Sequence, residues 1–285
     1  MNILTFDVED WFHLLGIKNL SDPWVWEKLE SRVESNTLYI LDLLSKYNHK
    51  ATFFVLGYIA ENFPELIKEI AQRGHEIGTH SFNHPLLYNL SEKEFDYDLR
   101  CSIEVISDLV NTDVISYRAP GFSIRRSNIS FLQVMREAGI RVDASIFPAK
   151  RAHGGIPGST ISVPTILNLE NGSSIVEMPM SPIDFLGQKL ILTGGGYFRL
   201  TPTKIIENLA GRDSYTMWYF HPRDFDYFQP RVEGLGIIRY FKTYVGLKRS
   251  SFKFETLIKK YKFVTIDQYL NECPVTRQVE AFAHF

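Results

Sequence analysis

Short apolar runs alternate along the chain with segments whose apolar residues recur every three or four positions. The runs Asn2–Asp7, Ala51–Leu56, His75–Thr79, Val114–Tyr117 and Arg141–Ser145 read as strands, as do Tyr215–Phe220 and Phe263–Ile266. Between them lie helix signals. Ser35 or Asn36 can cap a helix whose Leu38, Leu41, Leu44 and Tyr47 repeat at helical spacing. Pro64 opens a helix that stops at Gly74. Ser91 and Glu94 form a capping box before a long helix to Val110. Ser127–Ala138 ends at Gly139, Thr201-Pro202 opens another helix, and the last lies near Ser251–Tyr261. Residues 149–200, rich in Gly and Pro, read as irregular with one strand around Ile175–Met178.

Strands alternating with helices predict parallel pairing through right-handed crossovers. About seven to eight strands favour an α/β fold of the distorted (β/α) barrel type, closed or nearly so, with a doubly wound sheet as the alternative. No linker or repeat divides the chain, so residues 1–285 read as a single catalytic domain, long enough to bury a large core.

Composition narrows the function. A net charge of −2 without a long basic run argues against nucleic-acid binding. No apolar run approaches the roughly 20 residues of a membrane span. The N-terminus meets Asp7 with no basic region before it, unlike a signal peptide. Cys101 and Cys273 read as free thiols, one bridge between them being the alternative, and the expected location is cytoplasmic. The oligomeric state is left open, a homo-oligomer included.

The unusual polar residues follow predicted strands, where parallel α/β folds build their sites. His80 and His84 can share one metal if the segment turns, although Pro85 disfavours the α conformation at His84. Asp7, Glu9 and Asp10 crowd three carboxylates into four residues, which repel one another unless a cation or an arginine is present, a helix N-terminus being the other reading of such a cluster. Two imidazoles and a carboxylate leave open positions for water, as catalytic zinc sites do. Arg118, in an apolar setting, needs a carboxylate, and Asp7 is the natural one. Asp143 and His221 suggest a second pair, the carboxylate keeping the imidazole protonated as a general acid.

In this order the segments Thr5–Asp10, His80–His84, Arg118–Gly121, Asp143–Pro148 and Phe220–Pro222 resemble the five motifs of the polysaccharide deacetylases with a NodB homology domain, carbohydrate esterase family 4. The resemblance is to the branch with an FDVEDWF-type first motif. It implies a NodB-like barrel and a metal-dependent hydrolase that removes N-acetyl groups from a sugar or polysaccharide. By that resemblance Asp7 is the base, oriented by Arg118, and His221 the acid, tuned by Asp143. His80 and His84 bind a divalent metal, zinc the leading choice. The family has two adjacent aspartates in its first motif; here Val8 occupies the second place, so the third ligand is Glu9 or Asp10.

Pro120, Gly121 and Phe122 would line the substrate site, with a backbone N–H near Phe122 for the oxyanion. The segment Leu192–Arg199 resembles the same branch. Its Tyr197 and Arg199 are further substrate-binding candidates, Arg199 for a phosphate or carboxylate, and its three glycines would let backbone approach a ligand. The implied partner is an N-acetylated sugar, nucleotide-linked, lipid-linked or oligomeric. Two rivals stand beside this reading: a metal-independent hydrolase of a non-sugar amide on the same fold, and a non-catalytic carbohydrate-binding domain.

Overall fold

The structure, a computed structural model, describes residues 1–185, 187–212 and 215–283. Its strands are β1 (Asn2–Val8), β2 (Thr52–Val55), β3 (Glu76–Thr79), β4 (Ser116–Tyr117), β5 (Val142–Asp143) and β6 (Thr165–Asn168). They continue with β7 (Ser174–Glu177), β8 (Ile183–Phe185), β9 (Gln188–Leu190), β10 (Thr216–Phe220), β11 (Phe263–Val264) and β12 (Gln278–Glu280). One sheet runs in the order β10-β1-β2-β3-β4-β5-β7-β6-β12, with β11 also paired to β1. All its pairings are parallel except β6 with β7. The expected mixed α/β fold with a mostly parallel sheet is therefore present.

No backbone ladder joins β7 to β10 among the described residues, but side chains span that gap. The Met217 N–H donates to Ser181 Oγ at 2.9 Å, and the Tyr215 hydroxyl donates to the Pro179 carbonyl at 2.5 Å. The segment that follows β7 is thus tied to the β10 edge of the sheet.

Alternation along β1 decides which side chains reach the interior. Leu4, Phe6 and Val8 pack outward in a cluster with the helices, including Leu41, Leu44 and Phe254. Ile3 belongs to the opposite, inner cluster with Phe54, Met178 and Met217, so Thr5 and Asp7 also point inward. Gly78 on β3 is small because a Cβ there would come within 2.5 Å of Ser116 Oγ and 2.7 Å of the Phe54 ring.

The helix signals hold where capping is explicit. The helix Glu92–Val110 carries the Ser91/Glu94 capping box and ends on Asn111 in the left-handed region. The segment 149–200 is more ordered than its composition suggests. It contains the β6–β7 and β8–β9 hairpins and a short helix, Gly195–Leu200. The pair Asn171-Gly172, with Gly172 at φ 80°, makes the tight connection between β6 and β7. A helix at Ile237–Tyr244 also stands where the sequence pattern indicates none.

Candidate active site

Beyond the end of β1 the alternation continues for one more pair: Asp7 and Glu9 face inward together, while Val8 is spent on the outer core. Both carboxylates are almost fully buried. Arg118, wholly buried, donates from Nη1 to Asp7 Oδ1 at 2.8 Å and to Thr5 Oγ1 at 2.7 Å, and from Nε to the Ala144 carbonyl at 3.1 Å. Its plane lies 4.3 Å from the Phe54 ring centre. This grip occupies Oδ1 and leaves Oδ2 of Asp7 facing the cavity.

Glu9 Oε1 lies 3.1 Å from His80 Nε2 and 2.9 Å from His84 Nε2. The turn that delivers both rings is irregular, as Pro85 implies: Ser81 and His84 have φ of 69° and 56°. Asp98 holds it by accepting the backbone N–H groups of Phe82 and Asn83 at 2.9 and 3.2 Å. His80 Nδ1 is 2.7 Å from the Arg118 carbonyl, which can only accept. Nδ1 therefore carries a proton, and in the neutral ring Nε2 offers a lone pair toward Glu9. Burial would push the Glu9 carboxyl up, but the imidazoles of His84, His221 and His80 outweigh it and hold Glu9 well below the ordinary range.

His221, at the end of β10, faces these groups, with Nε2 3.9 Å from Asp7 Oδ2 and 3.7 Å from Glu9 Oε1. Burial alone would lower its pKa; the charge of Glu9 and the bond and charge of Asp224 raise it overall. Two overlapping sets of potential ligands result, Glu9/His80/His84 and Asp7/Glu9/His221, each with atoms within 4.8 Å of one another. The site floors a cavity of about 940 Å³.

Several expectations are corrected. Asp10 is not among these groups: it accepts from the backbone of Trp11, Arg32 and Val33 and from the Ser31 hydroxyl, tying down the loop before the helix Val33–Lys46. Asp143 does not reach His221. It accepts from Ser145 and pairs across the β5–β7 ladder with Glu177, and burial pushes its pKa up to about 6. The partner of His221 is Asp224, three residues on, 3.1 Å from Nδ1.

Arg199 is not free for a ligand either. It pairs with Asp224 and donates to the carbonyls of Val245, Lys242 and Thr243 at 2.8–3.0 Å. The Phe122 N–H is spent on the Ala119 carbonyl at 2.9 Å, so it cannot serve an oxyanion. Gly121 and Phe122 do line the cavity, whereas Pro120 is buried beside it and Tyr197 lines a neighbouring hollow. The glycines of the Leu192–Arg199 segment serve packing against protein: a Cβ on Gly194 would lie 2.2 Å from the Tyr219 ring, and one on Gly196 2.6 Å from the Lys242 carbonyl.

Known proteins resemble this chain over part of its sequence and in its fold. Residues 4–142 match the family described as polysaccharide deacetylase, and residues 144–271 match a domain of unknown function, DUF3473. Strands from both segments share the one sheet. A peptidoglycan-N-acetylglucosamine deacetylase of Bacillus cereus is 33% identical over 103 residues, 36% of this chain and 46% of the relative. Chitin deacetylase 1 of Saccharomyces cerevisiae is 43% identical over 61 residues, 21% of this chain and 20% of the relative. The chain thus spans less than half the length of these relatives.

Among solved structures, a protein of Mycobacterium smegmatis assigned as a polysaccharide deacetylase superposes with a TM-score of 0.61 at 19% identity, over 98% of this chain and 92% of that one. A 4-alpha-glucanotransferase from Thermococcus litoralis gives 0.59 at 15%, covering 98% and 41%. At such identities the likeness extends to the fold alone.

Proposed function

We propose that this chain, whose residues 4–142 match the polysaccharide deacetylase family, hydrolyses the N-acetyl group of a saccharide with the help of a divalent metal. The observation that carries this reading is the meeting of Glu9 Oε1 with the Nε2 atoms of His80 and His84, at 3.1 and 2.9 Å, next to an arginine-gripped aspartate. The donor set fits a divalent cation: two imidazoles and one carboxylate, the His80 imidazole held by a backbone carbonyl on its far nitrogen. Glu9, His80 and His84 would hold the ion, and zinc is the ion we propose.

A cation bound there supplies Lewis-acid polarisation of the acyl carbonyl and a more acidic water. The remaining work falls to the protein. Asp7 acts as general base: Arg118 fixes Oδ1, and Oδ2 takes the proton of the attacking water. Water first adds to the acyl carbon, forming the C–O bond, and the C–N bond then breaks, giving acetate and an amine. His221 supplies the proton to the leaving nitrogen from Nε2, which faces the carboxylates at 3.7–3.9 Å. Asp224 accepts from Nδ1 and supports the charged ring, and Arg199 in turn fixes Asp224. Asp7, Glu9, His80, His84, Arg118 and His221 are thus the residues we assign to the reaction, with Asp224 as a positioning residue.

The test is acetate release from N-acetylglucosamine oligomers, scored with and without added zinc. Metal-dependent acetate supports the reading. A metal-loaded, folded protein that releases none from any N-acetyl saccharide overturns it.

A further inference from the structure

Four cations line the same cavity above the site and lack carboxylate partners: Arg151, Arg223, Arg239 and Lys242. Among the described residues no carboxylate lies within salt-bridge distance of any of them. Arg151 rests on the Tyr219 hydroxyl at 2.9 Å and on the faces of Phe122 and Phe147; Arg239 donates to the Leu15 carbonyl. The Nε of Arg223 is buried with no hydrogen-bond partner. Half-buried Arg239 is pushed down by burial and then by the charge of Arg223; His153 is lowered by burial and then by Arg239 and Arg151. Positive charge is therefore concentrated at the rim of the cavity, above the carboxylates Asp7 and Glu9 on its floor, although the protein as a whole carries −2. Partly exposed guanidinium groups with no carboxylate bound to them are open to an anion from solution.

The helix Ile237–Tyr244, which contributes Arg239 and Lys242, adds a second feature. Ile237 is 89% exposed, Ile238 73% and Phe241 54%, and the two isoleucines border the cavity mouth. Large apolar side chains exposed side by side mark a binding surface. A neutral glycan would satisfy neither feature, and a hydrophilic acidic glycan would leave the isoleucines in water. An amphiphile with its anion next to its apolar part satisfies both.

We propose that the cavity takes its N-acetylated saccharide attached through a phosphate to an apolar chain. The phosphate meets Arg223 and Arg239, and the chain lies on Ile237, Ile238 and Phe241. The inference rests on the deacetylase reading for its sugar, but the anion and chain contacts stand on their own residues. Guanidinium groups suit phosphate because they can bond it in pairs.

Three substrates built on one N-acetylated disaccharide test this: a free reducing end, a 1-phosphate, and a 1-phosphate esterified to a short prenyl chain below its micelle concentration. Their amine products, titrated calorimetrically into metal-loaded protein, read binding without turnover. Each addition is expected to raise both kcat/KM and amine affinity about tenfold. Arg223→Gln with Arg239→Gln should collapse the phosphate step, and Ile237→Ser with Ile238→Ser the prenyl step. Equal binding of the neutral and phosphorylated amines overturns the proposal, as does a prenyl chain that adds nothing. If no compound is turned over yet amine binding rises in the stated order, the deacetylase reading fails and this inference survives.

Discussion

Asp224 Oδ2 sits 3.1 Å from Nδ1 of His221 and accepts the backbone N–H of the same residue at 2.9 Å. One carboxylate therefore fixes both the ring and the chain that carries it, and through Arg199 it is anchored to the backbone of residues 242–245. Because the charge of Asp224 helps raise the pKa of His221, removing it makes the imidazole lose its proton at lower pH. In Asp224→Asn the basic limb of the kcat–pH profile should move to lower pH, with kcat down roughly 10²-fold at neutral pH. Asp143→Asn should leave that limb in place. A shift in Asp143→Asn instead would restore the pairing expected from sequence.

Arg199→Ala removes the guanidinium from a buried carboxylate and from three carbonyls at once. Loss of one partner of a buried pair costs about 3–5 kcal/mol, so urea unfolding should reveal a large loss. A loss below about 1 kcal/mol would mean that Asp224 finds water in its place.

Glu9 and Asp10 separate by what each variant loses. Glu9→Gln should abolish stoichiometric zinc, measured by atomic absorption, with little change in unfolding temperature. Asp10→Ala should keep zinc yet lose about 1–3 kcal/mol of stability, because the N–H groups of Trp11, Arg32 and Val33 lose their acceptor. The reverse pattern would exchange their roles.

The distinction between these two carboxylates is already implicit in the sequence. Within an extended segment residues two apart share a face, so Asp7 selects Glu9, while Asp10 falls on the face of Val8. Most of the strand and helix order was legible for the same reason: a parallel sheet demands apolar runs, and caps such as Ser91 declare themselves. The β6–β7 hairpin was hidden by its Gly- and Pro-rich surroundings, although Asn171-Gly172 marks its turn. The partner of His221 needed tertiary placement. Asp143 and Asp224 both lie near strand ends, and only the turn Pro222–Phe225 brings Asp224 round to Nδ1.

Glu177 offers a test of the buried pair behind Arg118. Burial, then the Asp143 charge, holds its pKa well above the ordinary carboxyl value, so the native state retains a proton that the unfolded chain releases. Its contribution is full below the unfolded pKa near 4.5 and is lost as pH rises through the raised value. Glu177→Gln, which needs no proton, should flatten the decline of stability above pH ~5 seen by urea titration. Parallel stability–pH curves for the two proteins would show that the pair is not protonated as described.

In the proposed mechanism Glu9, His80 and His84 hold the metal on which deacetylation depends, while Asp7 takes the proton of water. Bound zinc and acetate release, measured together in wild type, His80→Ala with His84→Ala, and Asp7→Asn, decide whether those two roles are divided in this way. One zinc and metal-dependent acetate are expected in wild type, and neither in the double variant. Asp7→Asn should keep full zinc with acetate release reduced by about 10²-fold or more. Undiminished acetate release from the zinc-free double variant would contradict the mechanism.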